Sequence, residues 1–241
     1  TGDGKRALSA SFDKTVAQWD LTSGEEINGA ALEHADAVTD LKVRKGDAQV
    51  VTTCRDGLVR VWNLASPSSP IATLKVEGEP RAVSISDDGK RAVASAERPN
   101  SLSVIRLEGL AAAANGQPVE LAAERTLSLE SQRQLGAAVF TPGIGSSRVV
   151  VLGGAEARLL DVTTGNVEKT FSPLGVVASA NFSTNGKWIV TASWDRTARI
   201  WDAATGTDIR KLNGPNGHQG DVRTAVFSPD AESRFVLTSG E

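Results

Sequence analysis

The chain has one cysteine, two histidines and no methionine in 241 residues. A single thiol, Cys54, excludes an internal disulfide framework and fits a reducing compartment, so the expected location is cytoplasmic. Two histidines and one cysteine do not make a zinc site. No run of apolar residues approaches the ~20 needed to span a bilayer, and no basic-then-apolar leader opens the sequence. The formal net charge is −3, so no global field draws the chain to nucleic acid or to an anionic membrane. The missing initiator methionine means that the sequence starts on a processed chain or inside a longer one.

What is present is a repeat. Residues 191–202 read TASWDRTARIWD, 9–20 read SASFDKTVAQWD, and 52–63 read TTCRDGLVRVWN. Each places Ser or Thr first, Asp fifth, Trp eleventh and Asp or Asn twelfth, without a gap. Two altered copies fill the interval. One, at 150–161 (VVLGGAEARLLD), has Leu160 in the Trp slot. The other, at 94–106, needs one inserted residue and has Ile105 there. A sixth begins at Thr238. Asp-Gly, Asn-Gly and related turns precede the copies, as in GDGK (2–5), DDGK (87–90) and TNGK (184–187). Turns such as DLTSGEE (20–26) and DAATGTD (202–208) follow them. Such dipeptides supply the positive φ of tight hairpins. Between turns lie short runs rich in Val, Ile, Leu and Ala, of strand length. The one irregular stretch, 107–133, reads as an expanded loop, with LAAAAN able to form a single helical turn, before a strand at Val119–Leu129.

Four short strands per period of about 42 residues resemble the blade of a WD40-repeat β-propeller. The resemblance covers essentially the whole chain. It implies an all-β fold of four-stranded antiparallel blades, about five of them present. A partial blade is expected at 1–31, full blades at about 32–76, 77–130, 131–172 and 173–213, and a partial blade at 214–241. Twenty-one strands are expected, opening and closing inside a blade. The chain is therefore expected to be a fragment of a larger propeller, one of at least seven blades.

Taken alone, His34, Thr52 and Asp56 have the residue types of a base, a nucleophile and an orienting carboxylate. A catalytic triad is needed once, however, whereas here the group recurs together with its indole. The resemblance implies structural hydrogen-bonded sets of Asp, His, Ser/Thr and Trp. These are His34, Thr52, Asp56 and Trp62; Ser9, Asp13 and Trp19; Thr191, Asp195 and Trp201, without a histidine; and His218 with Thr238. No catalytic, cofactor or metal residue is expected. GIGSS (143–147) lacks the Lys and helix of a phosphate loop, and the Asp-rich turns lack the spaced carboxylates of a calcium loop.

Calling the four strands of a blade a to d, the b–c and d–a turns share one rim in an up-and-down sheet. Phe12, Arg55 and Trp194 stand just before the motif Asp at the b–c tips. Thr39, Arg81 and Arg223 open the a strands beside them. Aromatic and Arg residues are the types enriched in binding hot spots. The expected function is a non-catalytic scaffold that binds a protein or peptide, of acidic character, on this rim, with no nucleic-acid or membrane partner. The alternative is a regulatory or substrate-recruiting propeller appended to a multidomain enzyme, such as a kinase, with catalysis outside this chain.

Overall fold

The computed structural model describes residues 1–27, 29, 31–44, 46, 49–110, 117–129, 135–143, 145–213, 217–230 and 232–240. Among them every regular element is a strand, and none is a helix long and apolar enough to cross a membrane. The chain divides into two compact units, Thr1–Glu130 and Ser131–Glu241.

The first unit holds three sheets. Strands β1 (Arg6–Ala10), β2 (Thr15–Asp20) and β3 (Leu32–Glu33) form sheet A. Strands β4 (Val38–Val43), β5 (Gln49–Cys54), β6 (Leu58–Asn63) and β7 (Ala72–Lys75) form sheet B, in chain order from one edge. Strands β8 (Glu79–Ile85), β9 (Arg91–Glu97) and β10 (Ser101–Arg106) lead into sheet C. The expected single strand at Val119–Leu129 is broken in two: β11 (Val119–Glu120) and β12 (Arg125–Ser128). Only β12 completes sheet C, while β11 crosses back and pairs parallel with β7 of sheet B. Of the helical turn expected at 110–115, residues 111–115 lie outside the described residues. The boundary at 31 also moves, because Leu32–Glu33 pairs with β2 and belongs to sheet A.

The second unit repeats the design. Sheet D is β13 (Leu135–Phe140), β14 (Arg148–Gly153), β15 (Glu156–Asp161) and β16 (Val167–Phe171). Sheet E is β17 (Val177–Phe182), β18 (Trp188–Ser193), β19 (Ala198–Asp202) and β20 (Asp208–Leu212). Sheet F is the pair β21 (Val222–Phe227) and β22 (Val236–Gly240). Among the described residues sheets B to E are thus antiparallel meanders of four strands, with β11 as the one strand beyond the expected set.

Both faces of these strands are apolar because each inner sheet is covered on both sides. On β6, Trp62 packs toward sheet A with Val16, Leu32, Val38 and Val50. Val59 and Val61 point the other way, into a cluster with Ile71, Val83, Ala94 and Ile105. In the second unit Trp201 joins Val150, Leu159, Phe171 and Ile189 between sheets D and E. Neighbouring sheets are also tied by polar bonds from their inner strands. The Val83 amide donates to Asp40 Oδ2 at 3.0 Å, and Asn181 Nδ2 donates to the Ala225 carbonyl at 2.8 Å.

Each a–b pair carries a register shift near its start: between Val38 and Asp40, Pro80 and Ala82, Leu135 and Ala138, Val177 and Ser179, and Val222 and Thr224. A bulge of this kind bends the strand and re-aims one side chain. The turn before β8 is equally constrained. Gly78 has φ of 92°, and a Cβ placed there would lie 2.3 Å from the Glu97 carbonyl oxygen. Gly24 has φ of 76° with open space around it. Gly78→Ala is therefore expected to destabilise by clearly more than the roughly 1 kcal/mol typical of an uncrowded positive-φ glycine such as Gly24→Ala. Equal melting temperatures for the two variants would contradict the crowding.

Candidate interaction surface

The repeated polar residues form relays inside the sheets. In sheet B the Trp62 indole Nε1–H donates to Thr52 Oγ1 at 3.0 Å. Thr52 Oγ1 lies 2.8 Å from His34 Nε2, and His34 Nδ1 lies 3.1 Å from the Leu32 carbonyl oxygen. A carbonyl only accepts, so Nδ1 carries the proton. Nε2 then accepts from the Thr52 hydroxyl, whose oxygen accepts from the indole. The chain is satisfied with a neutral imidazole. Burial, and then the Arg60 charge, push His34 below its ordinary value. The same bonds recur from Trp201 to Thr191 at 2.9 Å, from Trp19 to Ser9 at 2.8 Å and between His218 and Thr238 at 2.8 Å.

The motif Asp residues do not take part as the resemblance implied. Asp56 forms a two-point ion pair with Arg60, at 2.6 and 3.1 Å, and makes no bond to His34. Burial raises its pKa, but the Arg60 guanidinium and the Leu58 amide outweigh that and hold the carboxyl below the usual range. Asp195 accepts from the Thr197 hydroxyl at 2.6 Å and lies 3.7 Å from Arg199, which is drawn to Asp208 at 2.6 Å. Asp13 caps its own turn through Thr15 at 2.7 Å. The arginine four residues after Asp56 and Asp195 was legible in two copies of the motif, DGLVR and DRTAR, and is the partner that the motif residues alone did not indicate.

Where the indole is missing, so is its acceptor. In sheet C, Ala94 stands in the hydroxyl position and Ile105 in the indole position, both buried. In sheet D the β14–β15 turn is one residue tighter, with Gly153 paired to Glu156. The structural counterpart of Thr52 is therefore Val151 and not Val150, the first residue of the gapless alignment. Val151 and Leu160 are both buried, so neither sheet strands a polar atom. Cys54 donates its thiol to the Asp36 carbonyl at 3.0 Å, and burial raises its pKa, the opposite of an activated nucleophile.

The b–c tips are braced from the neighbouring turns. In the first unit the Arg55 amide donates to the Ala37 carbonyl at 2.9 Å, and the Val38 amide donates to the Ser11 carbonyl at 3.1 Å. This holds the two tips so that the Arg55 guanidinium lies 4.9 Å from the centroid of the Phe12 ring, a cation–π distance. Phe12 is 71% exposed. Beside it, Arg55, Asp56, Gly57, Lys75, Val76, Glu77, Gly78 and Pro99 line a hollow of 630 Å³. Thr39 and Arg81 are half-buried bulge residues, and both are engaged within the protein. The Thr39 hydroxyl donates to the Pro80 carbonyl at 3.0 Å, and Arg81 is chelated by Glu97 at 2.7 and 3.0 Å. Neither is a free rim contact, and the cation expected at Arg81 is neutralised.

In the second unit the Trp194 amide donates to the Val176 carbonyl at 3.0 Å, and Trp194 is 48% exposed. The adjoining turn carries Leu174, 84% exposed, which was missed because a lone turn leucine carries no sequence signal. Arg223 is the bulge residue of β21 and is exposed. The described residues contain no cluster of three or more His, Cys, Asp or Glu arranged to hold a metal.

These features are those of WD repeats, and the comparisons agree. The WD domain, G-beta repeat family model matches residues 30–63 and 165–202, the segments that end on the motifs of sheets B and E. The repeats of sheets B and E are therefore WD40 repeats. It is 28% identical to the serine-threonine kinase receptor-associated protein of Dictyostelium discoideum over 95% of this chain and 71% of that protein. It is 24% identical to the ribosome biogenesis protein YTM1 of Pyricularia oryzae over 98% of this chain and 45% of that protein. For the transcriptional corepressor LEUNIG_HOMOLOG of Arabidopsis thaliana the figures are 22%, 98% and 27%. The chain thus spans less than half the length of the last two relatives.

Two outcomes follow from the relay. Trp62→Ala is expected to cost about 3–5 kcal/mol and Thr52→Val about 1–3 kcal/mol, because the latter leaves the indole and imidazole unpaired. Trp19→Ala, at a site 36% exposed, is expected to cost less than Trp62→Ala. Equal losses at the two tryptophans in thermal melts would contradict the burial difference. The second outcome concerns pH. The folded pKa of His34 lies below the ordinary 6.5, so the unfolded chain takes up the proton first as pH falls. The stabilisation is complete above that ordinary value and is lost as pH drops through the folded one. The fall in melting temperature between about pH 7.5 and 5 should be smaller in His34→Gln than in the parent. An equal fall would show that His34 does not titrate in this way.

Proposed function

We propose that the chain is a non-catalytic scaffold that binds a protein or peptide partner on the turns joining strands b to c and d to a. The observation that carries this is the set of large side chains held at those turns and left out of the cores: Phe12 under the Arg55 guanidinium in one unit, and Trp194 with Leu174 in the other. Braced aromatic and Arg groups with little conformational freedom to lose are the residues that dominate binding energies. The His–Thr pairs, which come nearest to a base and nucleophile, are engaged in the relays. Relatives named as a receptor-associated protein, a corepressor and a guanine nucleotide-binding protein subunit bear names that place them with other proteins, which supports the scaffold reading. With Arg81 neutralised by Glu97, attraction for an acidic partner rests on Arg55.

Arg55→Ala and Trp194→Ala are expected to weaken partner binding by ~2 kcal/mol, roughly thirty-fold, with melting temperatures unchanged. Lys90→Ala and Lys187→Ala, on turns at the other ends of the strands, should leave the affinity alone. The measurement is quantitative binding of partners recovered with the parent protein. A partner sensitive to Lys90 and Lys187 but indifferent to Arg55 and Trp194 would refute this placement.

A further inference from the structure

One register position, two residues before the indole slot on strand c, holds an arginine in three sheets: Arg60 opposite Thr52, Arg158 opposite Val151 and Arg199 opposite Thr191. Each is ion-paired, to Asp56, Glu156 and Asp208 respectively. In sheet C the same position, opposite Ala94, is Ser103. Its neighbour two residues earlier is Ser101 where sheet B has Leu58. Loss of this side-chain volume leaves a cleft of 680 Å³ between sheet C and strand β7 of sheet B, within the usual range of ligand sites.

The cleft has a specific chemistry. Ser101 pairs with Ser128 and Ser103 with Thr126, so four hydroxyls share the face of sheet C that lines it. Ser101 and Ser103 are buried at its floor, while Thr126 and Ser128 are exposed at its mouth. The Ser101 hydroxyl spans to the Glu77 carbonyl at 3.2 Å. The opposite wall is the outer edge of β7 at Leu74 and Lys75. This chain already seats an extended segment on that edge: the amides of Val119 and Leu121 donate to the carbonyls of Ile71 and Thr73 at 2.9 and 2.7 Å. The ladder then stops, and Lys75, whose main chain faces outward in register with Ile71 and Thr73, pairs with no described strand on that side.

We propose that this cleft is a second binding site, adjoining the rim hollow with which it shares Lys75, Val76, Glu77 and Pro99, that takes an extended peptide segment of a partner protein as a strand continuing the edge of β7. Its inward side chains are polar and uncharged. Hydroxyls both donate and accept, matching amide or hydroxyl side chains. The lining carries charge of both signs, Lys75 with Glu77 and Glu120, so it does not select a charged side chain. Main-chain bonds to the edge supply affinity and the alternate side chains supply selectivity, as in other strand additions.

The probe is the blocked, fluorescein-labelled heptapeptide Thr-Asn-Lys-Asn-Thr-Asn-Lys, with a counterpart carrying leucine at the three asparagine positions. Anisotropy titration against the intact chain should give saturable binding that is about ten-fold weaker for the leucine peptide, with the Lys75 and Glu77 amide resonances shifting. Ser103→Arg, which restores the residue found in the other sheets, should abolish binding, and Ser103→Ala should retain it. If Ser103→Arg lowers the melting temperature, Thr126→Arg at the exposed mouth tests the same occlusion without a buried change. Absence of saturable binding, binding that survives both arginine variants, or resonance shifts confined to other strands would overturn the proposal.

Discussion

A buried indole N–H needs an acceptor, and in this chain the acceptor is a hydroxyl on the neighbouring strand. The bonds from Trp62 to Thr52 and from Trp201 to Thr191 fix strand c against strand b while the ring fills the space toward the preceding sheet. The dependence is reciprocal, because a lone buried Thr or a lone buried Trp leaves a polar atom without a partner. This explains why sheets C and D change both positions together, to Ala94 with Ile105 and to Val151 with Leu160. Two chemistries serve one architectural role, and a mixture of them would be worse than either. The fixed strand pair in turn sets the b–c tip, from which Phe12, Arg55 and Trp194 reach solvent.

Much of this was legible in the sequence, for a physical reason. Strand length and position follow from apolar runs between turns that need positive φ, and the repeat multiplies a weak local signal. The Ser/Thr–Trp spacing is likewise a direct consequence of antiparallel pairing across a three-residue turn. Sheet D escaped the gapless alignment because its turn is shorter by one residue. That slip moves the hydroxyl position from Val150 to Val151, while the sequence similarity on either side stays intact.

The remainder was not legible because it depends on which of several partners wins, or on partners distant in sequence. Asp56 chooses Arg60 over His34, a competition decided by a guanidinium that binds both carboxylate oxygens. The bulges in the a strands turn Thr39 toward the Pro80 carbonyl and Arg81 toward Glu97, so two residues expected to be free on the rim are half-buried and already bonded. Strand β11 pairs with a neighbouring sheet because the edge of β7 offers unpaired main-chain groups, and nothing in Val119–Glu120 announces that choice. For the candidate surface, exposed aromatics at motif tips could be read from the repeat, whereas Leu174 and the hydroxyl cleft could not. An absent arginine becomes visible only when the registers are laid side by side.

The relay without aspartate is the central claim, and the protonation of His34 tests it most directly. The geometry requires a neutral ring with its proton on Nδ1, donating to the Leu32 carbonyl, and Nε2 accepting from Thr52. Nitrogen-15 NMR of the imidazole near neutral pH distinguishes the two tautomers and the imidazolium. A protonated Nδ1 with a bare, hydrogen-bonded Nε2 is the result expected. A proton on Nε2, or a doubly protonated ring paired with Asp56, would contradict the account and restore the carboxylate to the set.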